Sequence, residues 1–263
     1  MQISIIVTCK DRLSHLKLTL PSFISQTSSE VIMVDYGCAE NSSQWVLSNF
    51  PEVKVIKVDD DPFFCLSRAR NIGAKNANGT HLFFIDADVK IIGNFLANIT
   101  LENNFFYKVE SSDLYSLNGT CIIPKDTFYK IGGYDEAFVG WGGEDTDLYY
   151  RLKLLLSLYE VDNNFFQPIK HSSDIRQLSI QSGGMGNIHN SLIQTRIYMD
   201  IKRDYHNLSG EEMDVFMRKN LMNNIKKFIL SGEKKFEHYI DSYNFGGVNG
   251  RLLFKKKITY ELK

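Results

Sequence analysis

The residues with the clearest chemical potential in this chain stand in Gly140-Trp141-Gly142-Gly143-Glu144-Asp145-Thr146-Asp147-Leu148. Three acidic residues follow a glycine-rich, tryptophan-bearing turn, at what the pattern predicts to be a helix start. Gly142 and Gly143 let the backbone approach a ligand, and Trp141 offers a flat apolar face. Backbone N–H groups at a helix N-terminus favour ionised carboxylates, so Glu144 and Asp145 are expected to be charged near neutral pH. A stacking surface beside a carboxylate base suits a sugar hydroxyl that is to be held and deprotonated. The same residues also make an ordinary glycine-rich turn with capping acids. A second feature has to decide between the two.

That feature is His81-Leu82-Phe83-Phe84-Ile85-Asp86-Ala87-Asp88-Val89, an apolar run ending in two carboxylates separated by one alanine. A short run of this kind reads as a buried parallel strand. Alternation along a strand puts Asp86 and Asp88 on one side. In open α/β sheets, ligands bind beyond the carboxyl ends of the strands. Two carboxylates there form a hard-oxygen site for a divalent cation able to bridge phosphate oxygens. An isolated Asp-x-Asp is common in surface turns, and the buried strand in front of this one is what gives it weight.

Alternating elements are expected to carry these residues. Strands are expected at 3–8, 31–35, 53–58 and 81–86, with helices at 13–25, 43–49 and 66–77 between them. Such a β-α-β-α-β-α-β series implies an α/β domain with a mainly parallel sheet covered on both faces. Probable edge strands follow within 94–120, then a strand at 120–123, a short helix at 125–131 and a helix over 148–158. The polar, glycine-rich stretch 181–187 reads as a mobile loop. From about 190 the chain reads as helical with charged faces, notably over 211–230 and 234–243, and ends in the basic run Lys255-Lys256-Lys257.

The 263 residues are 43% hydrophobic and carry a formal net charge of −1, which gives no global case for nucleic-acid binding. The opening Met1–Val7 is too short an apolar run for a signal peptide or membrane span, and it reads as a first strand. Cys9, Cys38, Cys65 and Cys121 stand singly, as reduced thiols of a cytoplasmic protein would. The first βα turn, Thr8-Cys9-Lys10-Asp11-Arg12, holds no glycine, so neither a dinucleotide fingerprint nor a P-loop is present. Lys10 and Arg12 remain candidates for phosphate or base contacts, and Asp35 for hydrogen bonds from a base or ribose.

Together, Thr8–Arg12, Val34-Asp35-Tyr36-Gly37, Ser67-Arg68-Ala69-Arg70-Asn71-Ile72-Gly73 and Asp86-Ala87-Asp88 resemble the nucleotide-sugar half of the GT-A fold glycosyltransferases. Ile131-Gly132-Gly133-Tyr134-Asp135-Glu136, continuing into Gly140–Leu152, is similar to the acceptor half of the β-1,4-galactosyltransferases and to bacterial chondroitin-type polymerase domains. The resemblance covers about residues 3–180. It implies a GT-A domain over 1–189, with a nucleotide-sugar half at 1–90 and an acceptor half at 91–189. A helical extension at 190–263 would follow.

The resemblance also implies roles. Thr8, Lys10, Arg12 and Asp35 would line the nucleotide, with Asp35 on the uracil or its ribose. Arg70 and Asn71 would seat the diphosphate or sugar. Asp86 would meet the ribose and metal shell, and Asp88 would ligate Mn²⁺ or Mg²⁺ directly. His171, in His171-Ser172-Ser173-Asp174, would complete the metal set. Trp141 would stack on the sugars, with Gly142 and Gly143 beside it. Glu144 would hold acceptor hydroxyls, and Asp145 would be the general base of an inverting transfer from a UDP-sugar to a saccharide or glycolipid acceptor.

Residues 172–187 would then close over bound donor. A small Ser116, where galactosyltransferases carry a bulky aromatic residue, would leave room for an N-acetyl group. A cytoplasmic protein that uses its basic C-terminal region to dock on an anionic membrane face fits the same picture.

Three other readings compete. A haloacid-dehalogenase-like phosphatase would share Asp86-Ala87-Asp88 but place it on the first strand. A nucleotidyltransferase would carry a glycine-rich N-terminal loop. A non-catalytic sugar-binding relative would have no need of a base.

Overall fold

A computed structural model describes residues 2–61, 63–110, 117–170, 184–241 and 255–262. The chain divides into two compact units, one within Met1–Glu136 and Glu144–Ile175, the other within Ala137–Gly143 and Arg176–Lys263.

The first unit is built on a seven-stranded mixed sheet. Its first part follows the expected alternation: β1 (Ile3–Cys9), α1 (Leu13–Ile24), β2 (Ser29–Asp35), α2 (Ser42–Asn49), β3 (Lys54–Lys57), α3 (Leu66–Lys75) and β4 (His81–Asp86). Then come β5 (Val89–Ile91), β6 (Phe105–Val109), β7 (Cys121–Pro124), α4 (Lys125–Lys130), α5 (Glu144–Lys153), β8 (Ser157–Val161) and β9 (Phe166–Pro168). The sheet order is β3-β2-β1-β4-β7-β6-β8, and β5 pairs with β9 in a small ribbon of its own. The pairs β3/β2, β2/β1, β1/β4 and β6/β8 are parallel, whereas β7 runs antiparallel to both β4 and β6.

Strand alternation explains how both faces are covered. Ile5, Val7, Phe83 and Ile85 pack with Leu16, Leu20 and Phe23 of α1, which recur at helical spacing. Their neighbours Ile6, Leu82 and Phe84 point the other way, into Ala74 of α3, Phe128 of α4 and Leu148 and Leu152 of α5. At Gly73 of α3 an added Cβ would lie 2.4 Å from Ile6 Cγ2, so only glycine lets α3 pack this closely on β1.

The second unit contains α6 (Ile188–Ser209), α7 (Val215–Ser231) and an antiparallel pair, β10 (Lys235–Asp241) with β11 (Lys255–Glu261). Asn187 and Asp214 cap the two helices by accepting backbone N–H bonds at 2.9 and 2.7 Å. Each helix ends at a left-handed glycine, Gly210 or Gly232, both at φ 74°. Phe138 packs edge-on to Tyr198 at 5.1 Å, which ties the Ala137–Gly143 segment to α6 within this unit.

Three expectations need correction. The helix expected over 148–158 ends at Lys153, and Ser157–Val161 is a strand. Leu158 and Val161 pack in the clusters on opposite faces of the sheet, and the strand's neighbour, β6, lies far away in sequence. Strand β6 is accordingly an inner strand, not an edge. The stretch 234–243 is not helical either. Phe236 and Ile240 of β10 pack into the apolar cluster of this unit, and the charged residues between them hide the strand from the local pattern.

Candidate active site

The sheet order locates the site. Strand β1 has β2 on one side and β4 on the other, so the chain changes winding direction between β1 and β4, and ligands in α/β sheets bind at the carboxyl edge of such a point. Thr8 of β1 lies in register with Asp86 of β4, and the residues that follow both strands meet there. Arg12 Nη1 stands 3.4 Å from Asp88 Oδ2. Strand β4 ends at Asp86, and in the turn that follows Ala87 is buried between half-buried Asp86 and Asp88.

Arg70 organises the centre. It projects from α3 with its side chain only 2% exposed, donating to Asp86 Oδ1 at 2.8 Å and to Asp145 Oδ1 at 2.6 Å. Burial pulls its pKa down, but Asp145 and Asp86 outweigh that and hold the guanidinium charged. Its cationic carbon sits 4.9 Å above the buried ring of Tyr134. The Tyr134 hydroxyl lies 3.4 Å from the same Asp145 oxygen. Gly119 makes room for the group: a Cβ there would lie 2.3 Å from Arg70 Nη2 and 2.9 Å from Asp86 Oδ2.

Asp145 and Glu144 open α5. Both Asp145 contacts fall on Oδ1, and Oδ2 has no partner among the described residues. Burial raises the Asp145 pKa, and Arg70 opposes the rise. Glu144 is pushed up to about 7 by burial and by the neighbouring Asp145 charge. Full ionisation near neutral pH, expected for both from the helix N-terminus, is therefore corrected for Glu144. Desolvation and a like charge exceed the modest stabilisation a helix terminus gives.

The other candidates occupy distinct positions. Asp35 is buried: its Oδ1 accepts from Cys38 N at 2.9 Å, and its Oδ2 accepts from the backbone and hydroxyl of Ser43. Lys10 Nζ donates to Gly37 O at 2.6 Å, joining the turns after β1 and β2. Asn71 pairs its amide with the main chain of Tyr134, donating to Tyr134 O and accepting from Tyr134 N, both at 2.9 Å, and donates to Glu136 at 2.8 Å.

In the second unit, Trp141 is bound through its main chain. Its N–H donates to Ser191 Oγ at 3.3 Å, and the same hydroxyl donates to Trp141 O at 2.9 Å. Gly142 and Gly143 take φ of 89° and 99°, a region side-chain-bearing residues rarely adopt. His171, Ser116 and residues 172–183 of the expected closing loop lie outside the described residues.

Sequence reasoning did not single out Gly119, Tyr134 or Ser191. Tyr134 stands inside a quoted motif, but only the packing around Arg70 reveals what it and Gly119 do. Nothing local in the sequence marks Ser191.

Chemically, the arrangement offers two carboxylates at a sheet edge, each balanced by an arginine, and a further carboxylate with one oxygen held and the other open. The Asp86-Ala87-Asp88 motif sits on the fourth strand in chain order, not on the first as the phosphatase reading needs.

Comparison with known proteins agrees with this fold. The model of glycosyl transferase family 2 matches residues 4–99, and the model described as the N-terminal domain of galactosyltransferase matches residues 99–171. A 30-residue stretch is 57% identical to Validoxylamine A glucosyltransferase of Streptomyces hygroscopicus subsp. jinggangensis (strain 5008), spanning 11% of this chain and 7% of that enzyme.

Among solved structures, S. aureus TarS 1–349 in complex with UDP-GlcNAc aligns with a TM-score of 0.57 at 16% identity, over 87% of this chain and 73% of that one. The mannosyltransferase PcManGT from Pyrobaculum calidifontis, in complex with GDP-Man and Mn²⁺, aligns with a TM-score of 0.54 at 10% identity, over 87% and 69%. At such identities these structures speak for the fold alone. The chain therefore has the GT-A glycosyltransferase fold, with residues 4–99 similar to glycosyl transferase family 2 and residues 99–171 similar to the galactosyltransferase model.

Proposed function

We propose that this domain is a metal-dependent, inverting glycosyltransferase. It would move a hexose or N-acetylhexosamine (Gal, GalNAc or GlcNAc) from a UDP-sugar to a saccharide or glycolipid acceptor, in the building of a bacterial surface polysaccharide. The observation that carries the reading is the Arg70 bridge, 2.8 Å to Asp86 at the donor strand end and 2.6 Å to Asp145 at the start of α5. One buried cation thus sets the position of a donor-side carboxylate and of the candidate base together.

In this reading Asp145 Oδ2 takes the proton of the acceptor hydroxyl as that oxygen attacks the anomeric carbon from the face opposite the diphosphate. A single displacement inverts the centre, so an α-linked donor gives a β-linkage. Arg70 opposes the rise that burial imposes on the Asp145 pKa and aims the carboxylate through Oδ1. Trp141 stacks on the acceptor, and Glu144 accepts hydrogen bonds from its other hydroxyls. Lys10 and Arg12 face the phosphates, with Thr8 and Asp35 toward the nucleoside.

Asp88 and Asp86, both partly exposed at the sheet edge, fit a hard divalent cation. They would hold Mn²⁺ or Mg²⁺ with His171 as a nitrogen ligand. Bound there, the cation supplies Lewis-acid stabilisation of the departing diphosphate. Mn²⁺ in the PcManGT complex and UDP-GlcNAc in the TarS complex are consistent with this chemistry.

Docking of the basic C-terminal strand on an anionic membrane belongs to the same reading. In that strand Lys256 pairs with Asp204 and Lys257 with Glu237. No helix among the described residues is long and apolar enough to cross a membrane.

The test is calorimetric titration of UDP, with GDP as control, in Mn²⁺ and then in chelator, repeated on Asp88→Asn. Metal-dependent UDP binding that the variant loses supports the reading. Tighter GDP than UDP binding overturns the donor assignment, and absence of nucleotide binding overturns the whole.

A further inference from the structure

Two of the four cysteines meet at the carboxyl edge of the sheet. Cys9 ends β1, Cys38 lies just past the end of β2, and the Cys38 thiol stands 3.4 Å from Cys9 Sγ although the two are 29 positions apart. Cys9 is fully buried in its strand, whereas Cys38 is only half-buried.

Cys38 also holds the turn that follows β1. Its sulfur accepts the Asp11 N–H at 3.2 Å, and its own N–H donates to Asp35 Oδ1 at 2.9 Å. Asp11 takes φ 52°, a left-handed conformation that a side-chain-bearing residue keeps only where its surroundings fix it. The Ala39 N–H donates to Asp11 Oδ1 at 2.7 Å, so main chain and side chain of Asp11 are both pinned to Cys38 and Ala39. Lys10 and Arg12 flank this pinned residue.

We propose that Cys9 and Cys38 are a peroxide-responsive pair, whose oxidation to a disulfide loosens the Asp11 turn and weakens nucleotide binding. The effect on nucleotide rests on the reading of Lys10, Arg12 and Asp35 as donor residues, but closure of the pair does not. Cys38, the partner with exposed surface, attacks one oxygen of hydrogen peroxide; the O–O bond breaks, and Cys38 becomes a sulfenic acid as one water leaves. Cys9 then attacks the sulfenic sulfur. The S–O bond breaks, and its oxygen departs with the Cys9 proton as a second water. Two thiols lose two electrons, and one peroxide gains them. A disulfide bond of about 2.0 Å draws the sulfurs together by roughly 1.4 Å. Because Cys9 sits in a packed strand, Cys38 makes most of that movement, away from the Asp11 N–H and with the peptide that holds Asp35.

The test treats the chain with hydrogen peroxide, removes the excess with catalase, and compares oxidised, re-reduced and untreated protein. Peptide mass spectrometry is expected to find a Cys9–Cys38 link. Amide hydrogen exchange at Asp11 should quicken, which reports the turn without reference to nucleotide. Calorimetry in Mn²⁺ should show UDP binding about fivefold or more weaker, the worth of one lost hydrogen bond, and recovery on reduction. Cys38→Ser alters a half-buried position, keeps an acceptor for Asp11 and cannot form the link. Peroxide should leave its Asp11 exchange and UDP affinity as they were.

Sulfinic acid at Cys38 without a link to Cys9 overturns the proposal. So does a linked protein with unchanged Asp11 exchange, or one whose UDP affinity equals or exceeds that of the reduced form. A peroxide effect that Cys38→Ser retains belongs to other side chains and overturns it as well. A link with faster Asp11 exchange, in a protein that binds UDP in neither form, would keep the thiol pair and overturn the donor reading instead.

Discussion

Arg70 meets Asp145 on a single oxygen, Oδ1, at 2.6 Å, and Oδ2 of the same carboxylate has no partner among the described residues. A carboxylate held in this way has a fixed direction and a free lone pair, the two properties a general base needs. The cation that fixes it also opposes the pKa rise that burial imposes, so that the group can still accept a proton.

Asp145→Asn should retain the Arg70 contact through its amide oxygen while losing the basic oxygen. Turnover is expected to fall about 10²–10⁴-fold, the usual worth of a positioned general base. Affinity for UDP in Mn²⁺ should stay within a few-fold of the parent. Steady-state rates beside calorimetry check both halves, and near-parental turnover would remove Asp145 from the role.

Arg70→Met should damage stability as well as activity. Removing one partner from a buried charge cluster typically costs about 3–5 kcal/mol, because the remaining charges stay buried and unpaired. Asp86 and Asp145 would be left facing each other, and protonation would relieve that repulsion. The deficit in urea unfolding free energy should therefore be largest at pH 8 and shrink toward pH 5. A deficit independent of pH would count against the bridge as the cause.

Gly119→Ala tests the space that Arg70 needs. Its Cβ would lie 2.3 Å from Arg70 Nη2, so the guanidinium or Asp86 has to move. Overpacking of this kind costs about 1–3 kcal/mol. Here it should also lower kcat much more than it weakens UDP binding, since it displaces the group that aims Asp145. A variant with parental kcat would show that the bridge tolerates displacement.

Much of this was readable beforehand, for physical reasons that differ from residue to residue. The strand ending at Asp86 declared itself because buried parallel strands are continuous apolar runs, and β1 to β4 follow the expected alternation for the same reason. The start of β8 and the whole of β10 read as helix in the sequence. Their partners, β6 and β11, supply the pairing, and the local pattern is too polar to show a period of two. The motif residues Arg70 and Asp145 were identifiable as types, but their union depends on α3 and α5 covering the same face of the sheet. Asn71 shows the limit most clearly: its amide binds the Tyr134 main chain on both sides, a contact between residues 63 positions apart that no local pattern encodes.

Asn71→Ala follows from that pairing. It would strip a donor from Tyr134 O and an acceptor from Tyr134 N, and loosen the ring beneath Arg70. Loss of these bonds is expected to cost about 1–3 kcal/mol. A phosphate ligand on the surface of the site would instead change UDP affinity and leave stability unmoved. Chemical denaturation beside UDP titration separates the roles, and an unchanged unfolding midpoint with tenfold weaker UDP binding would assign Asn71 to the donor.

Glu144 sets the pH dependence. Its pKa is near 4.5 as a free side chain and about 7 in the folded protein, raised first by burial and then by Asp145. Between these values the folded state binds more protons than the unfolded state, so stability must fall as pH rises from about 4.5 to 7 and then level off. Discounted for residual solvent contact, the loss amounts to ~2 kcal/mol. Glu144→Gln has no proton to lose, so its stability should be flatter across that window and exceed the parent's at pH 8. Denaturation series at pH 5, 6, 7 and 8 decide the matter: parallel curves for parent and variant would mean that Glu144 is ionised throughout, and that its carboxylate meets acceptor hydroxyls already charged.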